Sequence, residues 1–248
     1  MKLRDMIVFT TVAAATIIPG MTQAAAPVNL INNGNFETGN FSGWTIIDTG
    51  SGQTLINDGS HTIPDGPGGA LPPISGHYDA LTEQPGPGQH VLQQKITVPA
   101  DVFSARLTWN DRVRNWASVY SDHNQEWRVL IKDTAGNVLQ ELYSTTPGDP
   151  LLQVGPNARG ADMTALLQQH ANSELVISFE EQDNLWFFNA TLDDVVLLAS
   201  VLPVNKDECK KDGWTSFVNV NTGQQIFKNQ GDCVSFVATQ GKNPPANY

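Results

Sequence analysis

Cysteine, basic residues and long apolar runs are all scarce in this sequence. Of 248 residues only two are cysteines, Cys209 and Cys233. Two thiols with no histidine nearby cannot complete the four-ligand shell of a structural zinc ion. Lysine and arginine together number 14 against 25 aspartates and glutamates, a formal charge of −11. A surface of that sign repels phosphate backbones and anionic lipids, which argues against nucleic acid or a membrane surface as partner. The 5 histidines are scattered. No G-x-S-x-G elbow, H-E-x-x-H pair or phosphate-cradling loop is present, so the compact signatures of hydrolases and nucleotide enzymes are missing.

What is there begins with a targeting pattern. Lys2 and Arg4 precede an apolar run from Ile7 to Ile18 broken only by threonines, and Thr22-Gln23-Ala24-Ala25-Ala26 offers small residues to a signal peptidase. This predicts a signal peptide over residues 1–26, set against an uncleaved amphipathic anchor. The run is too short for the ~20 apolar residues of a membrane helix, and no later stretch approaches that length, so no membrane insertion is expected after cleavage. Loss of Lys2, Arg4 and Asp5 takes the charge to about −12. The expected location is secreted or extracellular, with the periplasm or cell surface as alternatives. In an exported chain the two cysteines read as one disulfide, Cys209 to Cys233. Closing a loop of that size adds roughly 3 kcal/mol in the chain-entropy model.

From Leu30 to Ala199 short strand-like runs alternate with Gly, Pro, Asn and Asp. Early candidates are Trp44–Ile47 and Thr54–Ile56. Leu92, Ile96 and Val98 share one side of a run, as do Ala105, Leu107 and Trp109. The same holds for Trp127, Val129 and Ile131, and for Leu175, Ile177 and Phe179. Period-two patterning in several short runs predicts an all-β sandwich or barrel. Met163, Leu166 and Leu167 recur at helical spacing after Asp162, an N-cap, with Asn172 at the far end, so one short helix decorates it. Two long loops stand out, Asn57–Gly76 and Ser144–Gly160. The expected organisation is a β-domain over residues 27–201, then a linker at Leu202–Asn205 and a small cysteine-closed module within residues 202–248.

Asn33-Gly34-Asn35-Phe36-Glu37-Thr38-Gly39, followed by Phe41-Ser42-Gly43-Trp44, resembles the opening of bacterial jelly-roll domains with a galactose-binding-like fold. Leu192-Asp193-Asp194-Val195-Val196-Leu197 is similar to their closing strand. Gly76-His77-Tyr78 and Gly88-Gln89-His90-Val91-Leu92-Gln93-Gln94 also match. The resemblance spans about residues 28–200, and many such domains are carbohydrate-binding modules attached to polysaccharide-degrading enzymes. It marks the fold better than the activity. It implies a structural calcium ion held where first and last strands meet, by Glu37 with Asp193 or Asp194. Calcium takes about six to eight oxygens, which suits carboxylates brought together there. Asp193 shares strand parity with Val195 and Leu197 and is expected to point inward as the preferred ligand. The alternative is that Glu37 caps a turn and the aspartates are solvated. The segment around Gly213-Trp214 and Phe227 to Phe236 resembles a short piece found at the ends of bacterial exported proteins, with no activity implied.

Sugar recognition needs an aromatic face and a few polar groups for hydroxyls. Asp111-Arg112-Val113-Arg114-Asn115-Trp116, continuing through Tyr120 to His123, has that mixture and reads as a loop at one end of the sandwich or along its concave face. Trp116 and Tyr120 would stack, while Arg112, Asn115 and His123 would donate to hydroxyls. Trp186 and Tyr78 are secondary candidates, and Trp44, Trp109 and Trp127 are assigned to the core. No catalytic residue is predicted. Glu180-Glu181 and Asp193-Asp194 are adjacent, and adjacent carboxylates in a strand point to opposite faces, whereas glycoside cleavage needs two facing groups. A distant pair such as Glu126 with Glu180 stays open. The expected function is a non-catalytic secreted protein binding a polysaccharide or glycan. Alternatives are a structural or adhesive envelope protein and an unrecognised polysaccharide hydrolase or lyase.

Overall fold

The computed structural model describes residues 27–60, 69–83 and 86–247. The expected signal peptide lies outside them, as does part of the Asn57–Gly76 loop. In chain order the strands are β1 (Val28–Asn29), β2 (Thr45–Gly50), β3 (Gln53–Asn57), β4 (Asp79–Glu83), β5 (Gly88–Thr97) and β6 (Val102–Asn115). They continue with β7 (Gln125–Lys132), β8 (Val138–Ser144), β9 (Asn157–Asp162), β10 (Glu174–Asp183) and β11 (Phe188–Val201). One sheet has the order β3-β4-β11-β6-β9, with β1 also on β11, and the other β2-β5-β10-β7-β8. From β4 to β11 the chain crosses between the sheets at every step but β7–β8, so that β4-β11-β6-β9 faces β5-β10-β7-β8. That is the double Greek key of a jelly roll.

The alternating runs of the sequence supply both inner faces. Leu107, Trp109 and Val113 of β6 and Leu192, Val195 and Leu197 of β11 are buried against Trp127, Val129 and Ile131 of β7 and Leu175, Ile177 and Phe179 of β10. Removing such side chains from water supplies the force that joins the sheets, about 1.5–3 kcal/mol for each fully buried aliphatic or phenyl group. Phe179 lies within 6.2 Å of the Trp44, Trp109 and Trp127 rings, centroid to centroid. Trp44, Trp109 and Trp127 are thus core residues.

Indole N–H groups this deep need acceptors, and Asp111 supplies them. Its carboxylate, at 0% exposure, accepts from Trp109 Nε1 at 3.0 Å, Trp127 Nε1 at 3.3 Å and Arg159 Nε at 2.6 Å. Trp109 belongs to one sheet, Trp127 to the other, and Arg159 to β9, so one side chain ties three strands.

The predicted helix is α1 (Thr164–Gln169), with Met163 and Leu167 buried. Met163 occupies the cap position, while Asp162 Oδ1 accepts the Thr164 N–H at 2.8 Å. A second helix, α2 (Gln230–Ala238), follows in the C-terminal segment, where Asn229 accepts the Asp232 N–H. The Cys209–Cys233 disulfide is present. It packs with Phe217, Ile226 and Phe227 into a small core of its own, which Phe103 of β6 joins. Val220 N–H donates to Ser104 Oγ at 3.0 Å, so this segment sits against the start of β6.

Asp111→Ala removes the acceptor of two buried indoles and the partner of Arg159. Loss of one member of a buried pair costs about 3–5 kcal/mol, so the urea midpoint falls accordingly, and Asp111→Asn, which keeps the shape and one acceptor oxygen, falls less. Equal midpoints for wild type and both variants would contradict this role.

Candidate functional site

One end of the sandwich is built by the β6–β7 loop, residues 116–124, and the β10–β11 turn, residues 184–187. Gln125, buried at the start of β7, brackets them together. Its Oε1 accepts the N–H groups of Asn184 and Leu185 at 3.1 and 3.2 Å, and its Nε2 donates to Asn115 Oδ1 at 3.0 Å. Asn115 Oδ1 also accepts the Ala117 N–H, and its Nδ2 donates to the Val119 carbonyl. Trp116 N–H donates to the Phe187 carbonyl at 2.9 Å. The result is a fixed turn presenting Trp186 at 57% exposure, its ring edge-on to Phe187 at 5.2 Å.

The other expected ligand residues disperse. Asp111 to Asn115 belong to β6 and not to a loop: they pair along the ladder with β11, and the side chains of Asp111, Arg112 and Asn115 are buried. Arg112 is 4% exposed and turns to the outer face of the six-stranded sheet, where Nη2 donates to the Pro72 carbonyl at 2.9 Å. It also lies 4.0 Å from Asp79, whose carboxyl burial pushes up to about 7. Tyr120 is fully enclosed against Phe188, its hydroxyl donating to the Pro150 carbonyl at 3.2 Å. It anchors the loop from beneath and has no free face for a sugar. Trp116 is half-buried on Leu71 and Leu81. Tyr78 is half-buried on the main core, and its N–H donates to Glu37. Only Asn115, Trp116 and Trp186 meet at one end.

His123 heads a polar network on the outer face of the five-stranded sheet. Arg128 Nη1 donates to His123 Nδ1 at 2.8 Å and lies 3.0 Å from Glu126. Arg128 Nε and Nη2 donate to Glu180 Oε2 at 3.1 and 2.9 Å, and Lys132 and Ser178 bind Glu180 Oε1. Burial alone would raise the Glu180 carboxyl, but these donors hold it below the usual range. Glu126 and Glu180 do share a face, yet a guanidinium stands between them, so neither is a free acid or base. Glu181 points the other way, into the interior, where it accepts from Thr82 Oγ1. Asp122, His123 and Glu126 are the three metal-competent side chains that cluster most tightly among the described residues, with ligand atoms within 4.8 Å of one another. Arg128 occupies the position a cation would take between His123 and Glu126.

The three carboxylates expected around calcium converge on the turn Ser75–Tyr78. Glu37 Oε1 accepts the His77 and Tyr78 N–H groups at 2.8 and 3.0 Å, which lowers its pKa. Asp193 Oδ2 accepts from Ser75 N and Oγ, both at 3.0 Å, and Ser75 Oγ also reaches Asp194 at 3.3 Å. A β-bulge follows Asp193 in β11, and Asp194 adopts φ 52°. The bulge breaks the parity on which an inward Asp193 was expected. Asp193 pairs with Asn110 on the outer face while Val195 points in, and both aspartates reach the same serine. Adjacent carboxylates here do not oppose each other. Burial, with the neighbouring Asp194 charge, pushes Asp193 up to about 6. Hard oxygen donors of this kind suit calcium.

No protein-family model matches the chain, and no curated protein matches it. Solved structures similar to it include carbohydrate-binding modules. TmCBM61 in complex with beta-1,4-galactotriose is 17% identical at TM-score 0.44, over 69% of this chain and 99% of that one. The CBM22-1 xylan-binding domain of Paenibacillus barcinonensis Xyn10C is 11% identical at TM-score 0.42, over 71% and 97%. The enzymatically active domain of a bacteriophage CBA120 tailspike protein is 14% identical at TM-score 0.45, over 69% of this chain but 21% of its own. Likenesses this distant say nothing of what the chain binds.

The buried carboxyls set a pH dependence. Burial raises Asp79 to about 7, Asp183 and Asp193 to about 6, and Glu181 well above its usual value. Folded, they bind protons that the unfolded chain has released above ~pH 4, so their contribution is lost as pH rises through these values. Glu37, Asp48, Asp162 and Glu180 are lowered, and theirs is lost as pH falls below about 4. In calcium-free buffer the urea midpoint therefore peaks near ~pH 5 and declines towards ~pH 8. A midpoint rising steadily to ~pH 8 would contradict the assignment.

Proposed function

We propose that this is a secreted, non-catalytic carbohydrate-binding protein that engages a glycan at the loop end of the sandwich, with calcium joining Glu37 to Asp193 and Asp194. The observation that carries the reading is Trp186, an exposed indole on a turn that Gln125 and the Phe187 carbonyl hold in place. A planar apolar face fixed before binding costs little ordering and meets the C–H face of a sugar ring. Asn184, exposed on the same turn, supplies a donor for hydroxyls. Export is supported by the leader pattern and by a disulfide, which persists in oxidising compartments. The lack of catalysis is supported by Arg128, which lies between Glu126 and Glu180 and binds both. A structural or adhesive role is the second reading, favoured by Leu185 and Val119, which are exposed on the same two loops.

Calcium would sit at the outer mouth of the Asp193 bulge, where three carboxylates approach one turn. It would neutralise charges that otherwise repel, and fix the turns at Gly34 and at Ser75–Tyr78 against β11. The residues themselves already hold the turn through backbone N–H groups, so the metal would stabilise the joint without taking part in sugar binding.

Affinity electrophoresis against a panel of soluble polysaccharides, with calcium and with chelator, tests both parts. Trp186→Ala should reduce binding at least tenfold, about 1.4 kcal/mol, with an unchanged melting temperature. Chelator should lower the wild-type melting temperature and leave Glu37→Gln unaffected. Retained binding by Trp186→Ala would remove the loop end as the site. A wild-type melting temperature indifferent to chelator would remove calcium, and self-association without sugar binding would favour the adhesive reading.

A further inference from the structure

Beside the loop end, the outer face of the six-stranded sheet carries a depression of about 380 Å³ lined by Leu71, Pro72, Arg112, Arg114, Leu152 and Val154, among others. Three donors buried in and next to it have no acceptor among the described residues: Arg112 Nε, Arg114 Nε and Trp116 Nε1. The Arg114 guanidinium lies 5.0 Å from the centroid of the Trp116 ring, which joins the indole to the same cluster. Burial, and after it the neighbouring Arg114 charge, disfavours the charge on Arg112, while Asp79 favours it. Asp79, the carboxylate nearest Arg112, already accepts from Asn57 Nδ2 and Ile74 N at 2.8 Å each. Burial disfavours the Arg114 charge, and among the described residues no carboxylate offsets it. On a chain of charge −11 this sets two arginines side by side, with a carboxylate 4.0 Å from Arg112 alone. Buried donors without acceptors cost free energy that a ligand oxygen recovers.

Across the ladder Thr191 stands opposite Arg112 and Asn189 opposite Arg114, and Thr191 Oγ1 and Asn189 Oδ1 are also buried without partners. In the depression itself the unmet Nε–H groups of Arg112 and Arg114 call for an anionic acceptor, beside apolar walls of Leu71, Leu152 and Val154. We propose that this depression binds the carboxylate of a uronic acid residue, with Arg112 and Arg114 holding the carboxylate and the apolar side chains flanking the ring. This rests on the glycan reading and names its substrate class as acidic sugars. The chain's own negative charge disfavours densely charged polyanions, so a uronate within a mostly neutral glycan fits best.

The test follows the arginine Nε–H and tryptophan indole N–H resonances of the full chain by NMR during titration with sodium glucuronate and sodium galacturonate. Glucose, galactose and sodium acetate are the controls. Saturable shifts of Arg112, Arg114 and Trp116 with a uronate alone are expected. Arg114→Gln should weaken the uronate at least tenfold, and Arg114→Lys, which keeps charge but lacks Nε, should be intermediate. Both variants should leave the Trp186 response to a neutral polysaccharide unchanged, which also shows that they fold. Equal shifts with acetate would overturn the sugar assignment, and equal shifts with neutral sugars the acidic one. No arginine shift while Trp186 still responds would overturn this inference alone; silence at both would overturn the glycan reading with it.

Discussion

A single buried carboxylate organises this molecule. Asp111 accepts hydrogen bonds from an indole of each sheet and from the guanidinium of Arg159. Burying an anion is costly unless its lone pairs are filled. Here the filling groups are Trp109 and Trp127, the large residues that Phe179 also packs against. Apolar burial and polar satisfaction therefore demand the same relative position of the sheets. A sandwich joined by greasy faces alone tolerates sliding; one whose indoles must reach a shared oxygen does not.

That constraint carries through β6 to the surface. Four residues beyond Asp111 the strand ends at Asn115, whose amide is held by Gln125 of β7, and Gln125 in turn holds the turn that bears Trp186. On the opposite side of β6, Arg112 and Arg114 emerge at the outer face. One strand thus positions an exposed aromatic at the loop end and two cations beside it. The proposed ligand surfaces depend on a rigid core more than on the loops themselves.

The fold was legible because each long strand turns one apolar face to the core, and alternation at Ala105–Trp109, Trp127–Ile131 and Leu175–Phe179 reports that directly. The site was less so. Asp111 to Asn115 look like a loop because four of the five are polar, yet they continue the ladder of β6 with β11, and Asp111, Arg112 and Asn115 are buried there. Tyr120 has no alternating neighbours to mark it as core, since it plugs the sandwich from a loop. The inward assignment of Asp193 failed at a bulge, where one extra residue reverses the parity of everything before it. Helix α2 is short and rich in valine and phenylalanine. Its clearest mark is Asn229 three residues before Asp232. Gln125 carries no motif, and only the packed loops reveal what it does.

The central claim is that the loop end around Trp186 is where a glycan docks. Indole N–H resonances of the 6 tryptophans, followed by NMR as a bound polysaccharide fragment is titrated, test it most directly. The account predicts that Trp186 moves and saturates while Trp44, Trp109 and Trp127 stay fixed in the core. A fragment that binds and leaves Trp186 unmoved would contradict it.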